Sequence, residues 1–541
     1  MGDKIAAKLW SCVELTFEAA RSYENPFMDV ELHARFTGSN GQELLIPGYW
    51  AGDHQWKVRF TPSAAGDWTY ITQCSEATDS GLHGRQGTVT AAAWQPGELL
   101  ANPNRRGFIR VHESGRFFEY ADGTPFYWMG DTLWSAHTLR CDLETTLPTY
   151  LDDRKRKGFN VIQMVVGHPT ADEHGEETAS YVKYDPEYFL NEGGAPYLER
   201  YSRINPSYFN FLDLRIQRML EQGFVPCLMA MWGQDLQGIK VEGAKHYLRY
   251  IIARYAAYNV MWSPTGEYLF TDNVEGWREL GQEFHRYDPY GHPTSVHSIA
   301  PHSASRHYHT EEWYDFNLIQ VGHVLAFKNF MAELPLIDYR MEPPKPAIMS
   351  ESWYENHPNC VLEDGRIHDK SIRFATYVPL LQGCIGQTYG AHGIWSLYND
   401  EQQEKWTDFF RPDVWTHDLN LPGSGQMLHV RSLMESVDWR HLEPHPEWVS
   451  TTVESNVYCA AILQKQYIVY CTGGRTAMPV MVMILGEKRG GGQYAGQWMN
   501  PRTGEWSPAT GEYHGYGSGM MWRAFTPDQE DWILRIERIL E

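Results

Sequence analysis

The chain has 541 residues, too many for one ordinary domain, and 42% of them are hydrophobic, enough for more than one large core. Its net charge of −22 has the wrong sign for nucleic acid, whose phosphates need basic patches, and for anionic membrane surfaces; solubility alone accounts for it. Aromatic residues make up 14% of the chain, with 21 tryptophans, which serve core packing and also offer flat apolar faces on which sugar rings stack.

Met1 to Lys8 lacks the long apolar core of a signal peptide, and no run approaches the about 18 apolar residues of a membrane span. The eight cysteines are scattered with no CxxC pair, the pattern of reduced, mostly buried thiols, although Cys12 and Cys74 could meet in one small β domain. A cytoplasmic location is expected.

Residues 9 to about 95 alternate with period two, as in Val30–Phe36, Trp56–Phe60 and Trp68–Thr72. Turns at Gly38-Ser39-Asn40-Gly41, Ala51-Gly52-Asp53 and Gly66-Asp67 separate the runs, so this segment predicts an N-terminal β-sandwich. From about 110 to 435 the pattern becomes strand and helix in alternation. Strands are predicted at Phe126–Asp131, Val161–Val166, Phe224–Trp232, the run ending at Glu267, Thr294–Ser298, Phe316–Val321, Ala347–Glu351 and Ile394–Ser396. Helices are predicted at Leu147–Lys157, Phe209–Glu221, Ala244–Tyr258, Trp277–Arg286 and Ile372–Leu381, the third with Leu248, Ile251, Ile252 and Tyr255 on one face. Eight strands with alternating helices fit an α/β fold of the (β/α)₈ TIM-barrel type; a doubly wound sheet is disfavoured because no Gly-rich phosphate loop follows the first strand. After a helix at Gly425–Val437, residues 449–541 return to period two and predict a C-terminal all-β domain, with the Gly-rich stretch from Gly486 to Gly496 as a hairpin.

Two segments carry the chemistry. Val260 to Tyr268 and Pro346 to Glu355 are apolar runs that end on a carboxylate beside aromatic residues, and a barrel builds its site at such strand ends. Gly266 is expected to let the backbone turn so that Glu267 points into the barrel mouth, and Glu351 takes the equivalent place on the seventh strand. A carboxylate pair is the minimum equipment for cleaving a glycosidic bond. Polar and aromatic residues at other strand ends are candidate sugar contacts: Asp131, Trp134, Gln163, Trp232, His297, Gln320, His323, Tyr354, Glu355, Tyr389, His392 and Trp395. His297, His302, His307 and His309 cluster but match no zinc pattern, and no GxSxG elbow occurs, so neither a metal, another cofactor nor a serine nucleophile is expected.

Phe118 to Trp134, with its Gly123-Thr124-Pro125-Phe126-Tyr127-Trp128-Met129-Gly130-Asp131, resembles the opening barrel motif of apiosidase-like glycoside hydrolases. Asp153 to Gln163, Glu351-Ser352-Trp353-Tyr354-Glu355 and Tyr389 to Trp395 resemble their second, seventh and eighth strand motifs. Pro47 to Phe60 is similar to the β-sandwich that often precedes these barrels, and Trp498 to Gly504 to their trailing β domain. The resemblance covers nearly the whole chain. It implies a retaining glycosidase with its acid/base on strand four, Glu267, and its nucleophile on strand seven, Glu351. The family often carries Gly-Asp where this chain has Gly266-Glu267. The substrate is expected to be a plant- or microbe-derived oligosaccharide or glycoside, with no nucleic acid or membrane partner. The rivals are an inverting glycosidase using the same pair or Glu355, and a carbohydrate-binding protein with an inactive barrel.

Overall fold

The N-terminal period-two segments form a seven-stranded sheet, and Leu32–Gly38 and Gly66–Cys74 bury every second side chain, as half-exposed strands do. The long strand Glu43–Gly52 pairs with Leu32–Gly38 from Glu43 to Pro47 and with Gln55–Phe60 from Gly48 to Gly52. This change of partner folds the sheet over itself, and Phe36 stacks on Phe60 across the fold with ring centroids 3.8 Å apart. The computed structural model describes residues 4–171, 188–199, 201–360, 365–401, 406–451, 455–484, 493–516 and 519–539.

The central unit is built on a sheet of seven parallel strands. Their spatial order is Met261–Gly266, Val225–Trp232, Val161–Val165, Trp128–Thr132, Gly386–Tyr389, Ala347–Glu351 and Asn317–Gln320, with the two-residue strand His302–Ser303 antiparallel at one edge. These strands read as nearly continuous apolar runs because helices cover one face while the other packs on itself. Leu318, Ile348, Val161 and Trp128 share the inner cluster; Ile319, Met349 and Ile162 share the outer core with the helices.

The predicted fifth strand, Thr294–Ser298, is not a regular ladder. It makes one bridge, Trp262 to Thr294, and joins the two edge strands by scattered bonds. Trp262 N donates to Pro293 O (3.0 Å), Ser295 N to Trp262 O (2.9 Å), and Asp315 N to Thr294 O (2.8 Å). Pro293 has no N–H to give, and the Ser295 hydroxyl takes over one donor role by reaching Phe316 O at 2.5 Å. Two further predictions are corrected. The last strand is Gly386–Tyr389, and Ile394–Ser396 instead lies at a short helix, His392–Trp395. Gly386 is required there because a Cβ would sit 2.5 Å from the Trp128 Cβ of the neighbouring strand. The helix expected from Ala244 begins at Asp235 and is broken at Lys240, whose φ is 61°.

At the C-terminal end a six-stranded and a four-stranded sheet enclose Val469, Trp498, Trp522 and Leu534. Alternation sends their neighbours Ile468, Tyr470, Met499 and Ile533 the other way, into the central core. Residues 486–492 of the Gly-rich stretch lie outside the described residues, and Gln493–Met499 is a strand. Among the described residues no helix is long and apolar enough to cross a membrane. All eight cysteines are free thiols, so Cys12 and Cys74 form no disulfide.

Buried charge clusters tie both flanking sheets to the centre. Asp213 on helix Pro206–Glu221 receives Arg254 through two bonds of 2.8 Å and also pairs with Arg59 of the N-terminal sheet. Asp531, fully buried, receives Arg373 of helix Asp369–Leu381 at 2.7 and 2.9 Å and Arg502 at 3.1 Å. Removing one partner of such a cluster leaves the others charged and uncompensated, which costs about 3–5 kcal/mol. Asp531→Ala is therefore expected to destabilise the chain by that amount. Denaturant unfolding checks this, and an unchanged midpoint would show that the cluster contributes nothing.

Candidate active site

Glu267 and Glu351 stand at the C-terminal ends of their strands and face one another. The turn at Glu267 is made by Glu267 itself, which occupies the left-handed region with φ 45° and ψ 55°, an uncommon conformation for a residue with a Cβ. Gly266 does not make the turn; its φ is not positive. It is needed for space, because a Cβ there would lie 2.2 Å from the Trp232 ring. A Cβ at Gly233 would lie 2.3 Å from the Glu267 carbonyl oxygen. Trp232 and Gly233 thus close around the strand end, and Trp232 Nε1 donates to Glu267 Oε2 at 3.2 Å. Asp235, buried, fixes this turn by accepting the Trp232 backbone N–H at 2.7 Å and the Thr170 hydroxyl.

Glu351 is aimed by an irregularity. Ile319 pairs with Met349, but Gln320 pairs with Glu351, so one residue is skipped. Regular alternation from inward Ile348 and outward Met349 would point Ser350 inward and Glu351 out toward the helices. The skip reverses this and places Glu351 beside Gln320, as bulges near active sites do.

Gln320 Nε2 donates to Glu267 Oε1 at 2.8 Å and to Glu351 Oε1 at 3.0 Å. Those two oxygens are therefore no farther apart than the two bonds laid end to end, about 5.8 Å. His323 Nε2 lies 3.3 Å from Glu351 Oε1, and His297 Nε2 lies 3.4 Å from Glu351 Oε2. The Tyr354 backbone N–H donates to His323 Nδ1 at 3.3 Å, which leaves Nε2 as the protonated nitrogen, facing Glu351. Tyr354 OH accepts Trp134 Nε1 at 2.9 Å, and Tyr354 favours the ionised form of Glu351. The rings of Trp134, Trp232 and His297 meet within 6.1 Å and wall one side.

Burial, and then the charge of Glu351, push the Glu267 carboxyl up to about 8. Burial also raises Glu351, but His297, Tyr354 and Gln320 act against it. The two carboxyls therefore titrate as a coupled pair, in which the charge of Glu351 favours the protonated form of Glu267. Burial pushes His323 down to about 3, so it faces Glu351 as a neutral donor.

The structure thus gathers Glu267, Glu351, Trp134, Trp232, His297, Gln320, His323 and Tyr354. It places the other candidates elsewhere. Asp131 and Tyr389 are register partners on the outward side of their strands. Asp131 accepts Tyr150 OH (2.8 Å) and Arg154, and Tyr389 OH donates to Glu355 Oε2 at 2.6 Å. Glu355 also accepts Gly423 N at 3.0 Å, in the first turn of helix Pro422–Glu435, so its carboxylate anchors that helix. Gln163 lies inside the sheet, bonded to Thr388 (3.0 Å) and the Ser350 carbonyl (3.1 Å), and is fully buried. His392 is committed to the Phe410 carbonyl at 2.9 Å, and half-buried Trp395 packs beside Trp406. His357 was missed: its ring lies 4.2 Å from those of both His323 and His392, and only its position two residues past Glu355 hinted at it. The clustered histidines do not converge, since His307 bonds Tyr268 OH (2.6 Å) and His309 bonds the Pro343 carbonyl (2.8 Å). Among the described residues the group with ligand atoms within 4.8 Å of one another is Asp413, His417 and Asp418, and Asn356 Nδ2 already donates to both aspartates at 2.8 Å.

Residues 112–441 match the family model described as Apiosidase-like, catalytic domain, and residues 6–75 match a domain of unknown function, DUF5060. A search of curated proteins found no match. Among solved structures, a candidate glycoside hydrolase from Bacteroides vulgatus ATCC 8482 is 21% identical with a TM-score of 0.72, covering 99% of this chain and 100% of its own. A glycoside hydrolase family 5 protein from the same organism is 21% identical with a TM-score of 0.65, covering 81% of this chain and 94% of its own. At such identity these two show a shared fold.

Proposed function

The chain belongs to the apiosidase-like family and is a glycosidase, and on that premise we propose that it cleaves with retention of anomeric configuration, through Glu351 as nucleophile and Glu267 as acid and base. The observation that carries this is the single Gln320 nitrogen bonded to both carboxyl groups. It keeps one oxygen of each carboxyl within about 5.8 Å of the other, a spacing compatible with the about 5–5.5 Å of retaining enzymes and short of the about 6.5–9.5 Å that an inverting enzyme needs for its water. In the first step Glu351 attacks the anomeric carbon while protonated Glu267 gives its proton to the leaving oxygen. In the second, ionised Glu267 takes a proton from water, which displaces Glu351 from the sugar. His323 and Gln320 orient Glu351, and Trp134 and Trp232 offer ring faces for the sugar.

On this reading the parallel sheet is a (β/α)₈ barrel, closed where Pro293 to Ser298 joins the edge strands, between a β-sandwich at 9–95 and a β domain at 449–541. Family membership leaves apiose open as the sugar, because specificity lives in the loops. A plant- or microbe-derived oligosaccharide or glycoside is the proposed substrate, and eight free thiols favour a reducing, cytoplasmic setting. Following the anomeric proton by NMR during hydrolysis of a panel of nitrophenyl glycosides tests the proposal. Initial release of the opposite anomer would establish inversion.

The pH profile follows with its sign. Glu267 must be protonated to act first, and its raised pKa keeps it so at neutrality; kcat/KM should fall as pH rises through about 8. Glu351 must be ionised, and burial raises it, so the acid limb should lie above the about 4.3 of a free glutamate. A profile flat to pH 9 would rule out Glu267 as the acid.

A further inference from the structure

We propose that the cleft between the N-terminal sheet and the central unit is a second carbohydrate-binding site. It is a cavity of about 450 Å³, within the roughly 300–1,000 Å³ of small-molecule sites. It lies at the opposite end of the sheet from the carboxylates. Its residues Ala257, Tyr258 and Asn259 precede the strand Met261–Gly266, whereas Glu267 follows it, a separation of roughly 20 Å at strand rise.

The cleft is built around Trp10. This residue is held in the left-handed region with φ 55°, a conformation that bulky side chains avoid. Gly107 makes room for it, since a Cβ there would lie 2.7 Å from Trp10 Cε2, and Phe108 packs on it with ring centroids 5.2 Å apart. The indole stays half exposed over the cavity. Tyr258 and Trp94 complete an aromatic lining.

The polar wall divides into two kinds. Asn102, Asn104 and Asn259 spend their amides on backbone and on one another, with bonds of 2.8 to 3.2 Å, and make a rigid floor. Trp10 Nε1, Gln217 Oε1 and the Glu221 carboxylate, by contrast, have no partner among the described residues; Gln217 uses only its nitrogen, on Tyr258 OH at 3.0 Å. Arg105 lies over the Trp94 ring at 4.4 Å and Arg59 over Tyr258 at 5.3 Å, so the half-exposed Trp10 indole is the face left for a ligand, and one donor and two acceptors around it suit a neutral ring with an apolar face and hydroxyls at its edge. Glu14 is paired with Lys57 at 2.6 Å and Arg59 at 2.9 Å, and Arg105 and Glu221 give the rest of the lining one charge of each sign, which suits a neutral ligand. The proposal takes the class of its ligand from the glycosidase assignment, but uses none of the catalytic residues.

The test uses the full chain carrying Glu351→Gln, so that substrate is not consumed, in native gels containing soluble pectin, arabinoxylan, galactomannan or mixed-linkage β-glucan. At least one polysaccharide should retard the protein, and adding Trp10→Ala should weaken binding about three- to tenfold, the worth of a lost aromatic contact. In the otherwise wild-type chain, Trp10→Ala should leave kcat and KM on a small aryl glycoside unchanged. If Trp10→Ala lowers the melting temperature, half-buried Gln217→Ala with exposed Glu221→Ala carries the same expectation. No retardation in any gel, or equal retardation with and without these substitutions, overturns the site. Aryl glycoside turnover by the wild-type chain is measured separately, so a chain that binds but does not hydrolyse refutes the catalytic reading and leaves this one standing.

Discussion

Glu351→Gln should reduce turnover on the order of 10⁵–10⁶-fold, the scale on which removing a covalent nucleophile acts elsewhere. The amide is nearly isosteric and keeps an oxygen to accept from Gln320 and His323, so the fold and the sugar contacts should persist. On the proposed mechanism, what it loses is the negative charge that attacks the anomeric carbon. It also removes the charge that raises Glu267, so the remaining carboxyl should titrate lower than in the wild type. The two effects are separable: kinetics report the first, and carbon NMR of labelled Glu267 side chains reports the second. A well-folded variant that keeps more than about one per cent of wild-type turnover would exclude Glu351 as the nucleophile, given the size of effect expected.

The carboxylate pair was legible in the sequence because its signal is local. An apolar run buried on both faces, ending on a Glu beside aromatic residues, describes both strand ends, and the structure brings Glu267 and Glu351 together on one hydrogen-bond donor. The errors have two causes. The first is parity. Asp131 and Tyr389 sit at strand ends as expected, but one residue from the inward-facing Thr132 and Thr388, and alternation turns them toward Arg154 and Glu355. Sequence gives a strand's position more readily than its phase, because a run buried on both faces carries no alternation to read. Glu351 shows the converse: only the skipped residue at Gln320 points it inward, and no local pattern announces that register. The second cause is distance along the chain. His357 and Asp235 act through contacts with residues far away in sequence or fixed by loop geometry, and Pro293 to Ser298 replaces a ladder with scattered backbone and side-chain bonds that no periodicity encodes.

Glu267→Ala should slow substrates with poor leaving groups by about 10²–10⁴-fold, the usual worth of general acid–base catalysis, and slow activated aryl glycosides far less in the first step. An activated phenolate departs without a proton, so loss of the acid is tolerated there. The second step still lacks its base, and glycosyl-enzyme on Glu351 should accumulate as a burst of phenol followed by slow turnover. The truncated side chain leaves a space between Trp232 Nε1 and Gln320 Nε2, two donors that had pointed at the lost carboxylate. A small anion such as azide fits donors of that kind, needs no base to attack, and should restore turnover. Because it attacks the face that Glu351 left open, the product should be a glycosyl azide with the anomeric configuration of the substrate. The wild-type fall in activity above about pH 8 should vanish on activated substrates, since the group that causes it is gone. Equal slowing of all substrates with no azide effect would remove Glu267 from the acid/base role. A glycosyl azide of inverted configuration would exclude the covalent intermediate, and with it Glu351 as nucleophile.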